Sequence, residues 1–178
     1  MVEAAHLLTA RPVGTTEPAE RAEHAIWESL SRVPDPEIPI LSVLDLGIVR
    51  FVRWREGALH VGITPTYSGC PATEVIRRSI REALEAVGYS GVVLEEVLAP
   101  AWTSDWLTDE GRAKLLEFGI APPATAVTNP RRLIGAAIAC PRCGSLATTR
   151  ISEFGSTPCK AHYRCEECRE PFDYFKCI

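Results

Sequence analysis

The chain has 178 residues, of which 46% are hydrophobic and 24% are charged, and its formal net charge is −4 at pH 7. This composition predicts one ordinary globular core with a small appendage, and the negative charge argues against a general nucleic-acid binder. No apolar run approaches the roughly 20 residues of a membrane-spanning helix and no signal-peptide pattern opens the sequence, so we expect a cytoplasmic protein whose seven cysteines stay reduced.

The first domain is predicted over residues 19–119, after a flexible N-terminus of residues 1–18. Its first helix begins after Pro18, bears an apolar residue at each turn and ends at the proline-rich loop VPDPEIP, residues 33–39. Residues 48–63 are predicted to form a β-hairpin, because β-branched, aromatic and alternating apolar residues flank a Glu-Gly turn.

The second half of this domain adds two helices and one strand. Apolar periodicity predicts a helix at about 71–87, a strand at 92–98 and a short helix at 109–118, capped by Thr108 and closed by Gly119. The element order αββαβα predicts an α+β protein whose first domain is a small two-layer α/β unit.

The C-terminal region carries two Cys-x-x-Cys pairs. Residues 120–132 are rich in proline and small residues and are predicted to be a linker, while residues 133–178 are predicted to be a separate domain. Each Cys-x-x-Cys turn points two sulfurs at one centre, so two turns supply the four thiolates of a closed tetrahedral zinc site. The four predicted ligands are Cys140, Cys143, Cys165 and Cys168.

The predicted second domain is a small β zinc ribbon with one zinc ion. Fewer than fifty residues bury too little apolar surface for a stable core, so metal binding would supply the missing folding free energy. Four thiolates also suit an iron–sulfur cluster, and the spacing does not separate the two metals. A redox role for the pairs is disfavoured, because no βαβ context surrounds them.

Two further cysteines of this region, Cys159 and Cys177, have no assigned partner. They are candidate additional metal ligands, either in a second site or in place of one of the four. The alternative is that they are packed thiols, because cysteine commonly behaves as a small buried hydrophobe.

Cys70, in the stretch TYSGCPATE, is the most informative residue of the first domain. Because Pro71 favours the first helical position, Cys70 is predicted at the N-cap, where free N–H groups and the helix dipole would stabilise a thiolate. Such a thiolate is a good nucleophile or metal ligand; the alternative is a cap that happens to be cysteine. Asp35 and Glu37 are either carboxylates beside a metal or residues of the turn that ends the first helix.

Three stretches together carry a resemblance to a known family: VPDPEIPILSVLDLGIV, TPTYSGCPATE and APAWTSDWLT resemble the iron–sulfur assembly domains that include SufT-like proteins. With the cysteine-rich tail, residues 22–178 resemble the PaaD (PaaJ) family, the D subunits of phenylacetyl-CoA epoxidase systems in aerobic phenylacetate degradation. The resemblance places the family's motif cysteine at Cys70, its acidic loop at Asp35 and Glu37, and its ribbon ligands at the four paired cysteines.

The resemblance implies a non-enzymatic accessory protein that helps to mature or assemble the epoxidase, with its iron–sulfur reductase as the expected partner and a transient iron–sulfur cluster as cargo. Two other functions stay open: a purely structural epoxidase subunit, and a nucleic-acid-binding ribbon, which the interrupted basic patch and the anionic chain disfavour. The sequence also leaves open whether Cys70 sites pair across a homodimer.

Overall fold

The computed structural model describes residues 17–67, 69–123 and 138–176. Helix α1 spans Glu17–Ser31 and therefore includes two residues that the sequence assigns to the flexible N-terminus. No helix within the described ranges is long and apolar enough to cross a lipid bilayer.

The predicted hairpin is confirmed and forms part of a three-stranded sheet. Strand β1 (Val49–Arg55) pairs antiparallel with β2 (Ala58–Ile63), and β2 pairs parallel with β3 (Val93–Glu96). Helix α2 (Thr73–Ala86) connects the two parallel strands, and α3 (Asp109–Glu117) follows a short 3₁₀ turn. The observed order αββαβα is the one that the apolar periodicity predicts.

One apolar core holds these elements together. The alternating residues of β2, Leu59, Val61 and Ile63, are all buried, and the helices contribute one apolar residue per turn to the same core. The helical core residues are Ile26 and Leu30 of α1, Ile76, Ile80 and Leu84 of α2, and Leu115 of α3. The helices therefore form the second layer of the α/β unit that the sequence predicts.

The loop between α1 and β1 is folded tightly on itself. The Asp35 N–H donates to the Leu41 carbonyl at 2.8 Å, and the Val43 N–H donates to the Val33 carbonyl at 2.9 Å. At the end of this loop Gly47 has a φ of 64°, and a Cβ built on it would lie 2.7 Å from the Trp106 carbonyl oxygen. Both observations require glycine at this position.

The C-terminal region forms a second sheet with the strand order β4-β7-β6-β5. Strands β5 (Thr148–Ser152), β6 (Lys160–Cys165) and β7 (Pro171–Phe175) are antiparallel neighbours. Strand β4, Ile120–Ala121, pairs parallel with β7, although the sequence assigns these two residues to the linker. The rest of the predicted linker lies outside the described residues from position 124 onward.

The ribbon packs directly against the first domain. Phe175 at the end of β7 is buried in the main core, where its ring meets Trp102 edge to face at 6.2 Å between centroids. Cys159, just before β6, joins the same core. A smaller core fills the ribbon itself, formed by Ala121, Cys140, Ala161, Cys165, Phe172 and Tyr174.

Candidate functional site

The four paired cysteines meet at one point of the ribbon. The sulfurs of Cys140 and Cys168 are 3.7 Å apart, those of Cys143 and Cys165 are 3.6 Å apart, and all four lie within 4.8 Å of one another. Tetrahedral zinc with bonds of about 2.3 Å separates its ligand sulfurs by roughly 3.8 Å. The donor set and its spacing therefore fit one zinc ion.

Local backbone geometry creates this arrangement. In the first turn the Gly144 N–H donates to the Cys140 carbonyl at 2.9 Å. Both turns place the residue after their second cysteine in the left-handed region: Gly144 has a φ of 74° and Arg169 a φ of 65°. The N–H groups of Cys168 and Glu167 lower the pKa of the Cys165 thiol to about 7, whereas the pKa values of Cys143 and Cys168 are raised above the ordinary thiol value. Zinc binding must therefore displace protons from the quartet.

The position predicted for Cys70 is wrong in detail. Helix α2 begins at Thr73 with Ala72 as its N-cap, so Cys70 precedes the cap by two residues. Pro71 and Ala72 form a separate turn, closed by a 3.2 Å hydrogen bond from the Thr73 N–H to the Cys70 carbonyl. The half-buried Cys70 side chain instead lines a cavity between the two domains.

Asp35 and Glu37 line the same cavity as Cys70. Asp35 Oδ1 accepts hydrogen bonds from the N–H groups of Glu37 at 2.9 Å and Ile38 at 2.8 Å, so this side chain shapes the acidic loop. Burial raises the pKa of Asp35, although these two hydrogen bonds and the nearby Lys160 ammonium favour its charged form. Asp35 therefore forms the turn and also lines the cavity; its place beside a metal stays a prediction.

The ribbon supplies a third polar group to this cavity. The Cys159 thiol is buried, lies 3.0 Å from Thr157 Oγ1 and donates to Glu37 Oε2 at 3.7 Å. Burial raises the pKa of Cys159 to about 11, and the Glu37 charge acts in the same direction. Cys159 is therefore remote from the zinc quartet and belongs to the interdomain cavity; Cys177 lies outside the described residues.

Tyr67 adjoins the polar groups of the cavity. Burial raises its pKa to about 12, and the charges of Cys70, Glu37 and Cys159 contribute to the shift. The hydroxyl lies beside Cys70, yet its buried oxygen makes no well-aligned hydrogen bond within the described part of the chain.

Asp45, a further carboxylate of the same region, does not reach the cavity. It accepts from the N–H and hydroxyl groups of Ser42, both at 2.8 Å, and pairs with Lys114 Nζ at 3.0 Å. Burial opposes its ionisation, but the Ser42 N–H and the Lys114 ammonium hold the pKa of Asp45 below its ordinary value. Its role is structural.

Several groups that a nucleic-acid-binding ribbon would use are inaccessible. Lys160 is 5% exposed and lies 3.8 Å from Asp173, while Phe172 and Phe175 are buried in the two cores. These residues have no free surface with which to contact phosphates or stack on bases.

Known proteins resemble this chain over both domains. Residues 23–94 match the family profile "Iron-sulfur cluster assembly protein", and residues 125–176 match "PaaD zinc beta ribbon domain". An Escherichia coli K12 protein, the D subunit of a "Putative 1,2-phenylacetyl-CoA epoxidase", is 54% identical over 155 residues, which cover 87% of this chain and 93% of that protein.

Two shorter relatives each match about half of this chain. A Porphyromonas gingivalis protein named "Fe-S protein maturation auxiliary factor" is 35% identical over 101 residues, which cover 56% of this chain and 92% of the relative. A Bacillus subtilis protein of the same description, YitW, is 31% identical over 88 residues, which cover 48% of this chain and 85% of the relative.

Proposed function

The chain belongs to the PaaD family, the D subunits of 1,2-phenylacetyl-CoA epoxidase, and we propose that it is an accessory factor that assists iron–sulfur cluster maturation in an epoxidase of this type. Its client in this proposal is the iron–sulfur reductase of the complex. The maturation factors that each match about half of this chain support the class of function.

The observation that carries the proposal is the cavity at the domain boundary. It brings the half-buried Cys70 thiol together with Asp35 and Glu37, the three residues that the family resemblance implies. A partly exposed thiol can bind iron and release it to another protein, because exchange between thiolate ligands requires access to both. The zinc quartet serves a different purpose, which is to fold the ribbon that closes the cavity.

In this mechanism Cys70 is the transient ligand of the iron cargo. The acidic loop keeps two carboxylates at the cavity, where they favour a cationic iron centre over an anionic ligand. The ribbon places Cys159 and Phe175 against the same cavity, so the cargo site is complete only when the ribbon is folded.

Replacing Cys70 by serine tests the proposal. We expect Cys70→Ser to retain one zinc per chain, while the reductase isolated from cells that carry this variant has a reduced cluster content and growth on phenylacetate slows. Glu74→Gln, a change at an exposed site in the first turn of α2, is the matched control and should behave as wild type. A reductase with its full cluster content in Cys70→Ser cells would refute the maturation role and favour a purely structural subunit.

A further inference from the structure

The interdomain cavity contains one sulfur from each domain, and nothing in the family resemblance assigns a role to the ribbon's Cys159. We propose that Cys159 and Glu37 bind a single thiophilic divalent cation, ferrous iron in the cell, with Cys70 as the third ligand. For the identity of the metal, this inference rests on the proposed function. It adds which residues are the ligands and how many metal ions the site holds.

The separation of the two fixed donors matches a shared ion. Cys159 Sγ and Glu37 Oε2 are 3.7 Å apart. A tetrahedral ion with a metal–sulfur bond of about 2.3 Å and a metal–oxygen bond of about 2.1 Å places its two ligand atoms roughly 3.6 Å apart. The thiol and the carboxylate can therefore bind one ion without moving the backbone.

The size of the cavity selects a small occupant. The space within it is about 20 Å³, and a cavity needs roughly 10–15 Å³ to hold one water molecule. One ion fits this space. The closed arrangement of the two domains is thus suited to mononuclear iron.

The cavity carries two carboxylates, Asp35 and Glu37, against one nearby cation, the Lys160 ammonium. Within the described residues Glu37 makes no ion pair, because the nearby Lys160 ammonium lies 3.8 Å from Asp173. Among the described residues the Tyr67 hydroxyl makes no well-aligned hydrogen bond, although it lies beside Cys70. A thiolate bound to the ion at Cys70 would give this hydroxyl a charged acceptor, which removes the cost of an unsatisfied buried donor.

Cys70 supplies the mobile ligand. Among the described residues, only the zinc quartet brings three or more Cys, His, Asp or Glu ligand atoms within 4.8 Å of one another. The Cys70 sulfur must therefore rotate toward Cys159 and Glu37 to share an ion with them. Its half-buried position allows this movement. Binding replaces the thiol protons of Cys159 and Cys70 by metal bonds, releases both protons to solvent and changes no oxidation state.

Cobalt titration of the full-length, zinc-loaded protein under anaerobic conditions tests this site. Zinc binds a thiolate site more tightly than cobalt does, so the quartet keeps its zinc while Co²⁺ reports on the cavity. We expect one further equivalent of Co²⁺ per chain, with thiolate-to-cobalt charge-transfer absorption. Cys159→Ser and Glu37→Gln should each weaken Co²⁺ binding at least about tenfold, and Cys159→Ser should also remove about half of that absorption, since one of two thiolates is lost.

The variant His162→Ala is the matched control, because it alters a half-exposed imidazole of the same ribbon that does not line the cavity. It should bind Co²⁺ as wild type does, and every variant should retain one zinc. Failure of the wild type to bind a second metal ion, or unchanged binding by Cys159→Ser, would overturn the inference. Colour that develops only when sulfide accompanies iron, and that both Cys70→Ser and Cys159→Ser abolish, would overturn the mononuclear assignment.

The two proposals fail separately. Cobalt binding that depends on Cys159, combined with normal reductase maturation in Cys70→Ser cells, would retain the metal site and refute the maturation role. Impaired maturation in Cys70→Ser cells, combined with cobalt binding that is insensitive to Cys159, would retain the maturation role and refute the metal site.

Discussion

The chain carries cysteines in two different settings, and the contrast shows how the surroundings of a thiol determine its use. In the ribbon, four sulfurs lie within 4.8 Å of one another and are held by two short turns. At the domain boundary, Cys70 and Cys159 come from different domains and lie beside carboxylates. The first setting is complete within one small domain, whereas the second exists only when the two domains are docked.

In our proposal this difference separates a structural metal at the quartet from an exchangeable one at the domain boundary. A closed set of four thiolates leaves no open coordination position, so its metal is retained and contributes directly to folding. The boundary site has one buried donor, Cys159, and two half-buried donors, Glu37 and Cys70. A site with an exposed, mobile ligand can load and release its metal, as a maturation factor must.

The largest expected effect comes from breaking the zinc quartet. Cys165→Ser removes a buried ligand, and structural zinc sites contribute about 10–16 kcal/mol to the folding of small domains. We expect this variant to lose zinc and the ribbon strands, as measured by elemental analysis and by amide hydrogen exchange of β5 to β7. Cys70→Ser should leave both measurements unchanged; an intact ribbon in Cys165→Ser would contradict the assignment of the quartet as the folding centre.

A smaller loss is expected when the contact between the domains is weakened. Phe175 is 1% exposed and packs against Trp102, so Phe175→Ala should cost about 3–5 kcal/mol in the free energy of unfolding by denaturant. Phe154→Ala is the control, since that ring is 62% exposed, and it should change the free energy of unfolding by less than about 0.5 kcal/mol. Equal effects of the two substitutions would show that the ribbon is not docked through Phe175.

The two cysteine settings also differ in how far the sequence predicts them. The quartet depends on turns of four residues, so the spacing of Cys140, Cys143, Cys165 and Cys168 is enough to predict it. Strand β2 and helix α2 are likewise visible as local periodicities. The placement of Cys159 depends on how the ribbon docks against the acidic loop, and no local pattern records that contact.

Two sequence-based predictions, the start of α2 and the extent of the linker, are wrong for a similar reason. Pro71 fits the first position of a helix, but the turn through Ala72 delays the helix to Thr73, because proline at such a position is equally compatible with a preceding turn. Strand β4 has two residues, and its pairing with β7 is a tertiary contact within a segment whose composition resembles a linker. The separate fates of Asp35, which lines the cavity, and Asp45, which pairs with Lys114, likewise depend on tertiary contacts.

The contacts of Asp45 with Ser42 and Lys114 predict a moderate loss of stability when Asp45 is replaced. Asp45→Asn should lower the free energy of unfolding by about 1–3 kcal/mol, because it weakens the contacts of a buried carboxylate with Ser42 and Lys114. The pKa of Asp45 is held below its ordinary value of 3.8 in the folded chain. Its stabilising contribution is therefore fully present above about pH 4 and is lost as the pH falls through the folded pKa.

Urea unfolding of wild type and Asp45→Asn at pH 7 and at about pH 3 measures this dependence. The difference between the two proteins should shrink at the lower pH, while Glu37→Gln, which alters a cavity carboxylate without an ion pair in the described residues, should show little difference at either pH. A difference that persists undiminished at low pH would assign the Asp45 effect to packing and not to its charge.

The smallest expected effects distinguish the two turns of the quartet. Gly144 and Arg169 occupy equivalent positions with φ values of 74° and 65°. Gly144→Ala should destabilise the ribbon by about 1 kcal/mol, because a residue with a Cβ is strained there. Arg169→Gly relieves that strain but increases the entropy of the unfolded chain, so its net effect should lie within about 1 kcal/mol of zero. Competition with a zinc chelator measures the effect of both substitutions. Gly144→Ala should release zinc more readily than wild type. If Gly144→Ala retains zinc as well as wild type does, the first turn tolerates a side chain as the second one does.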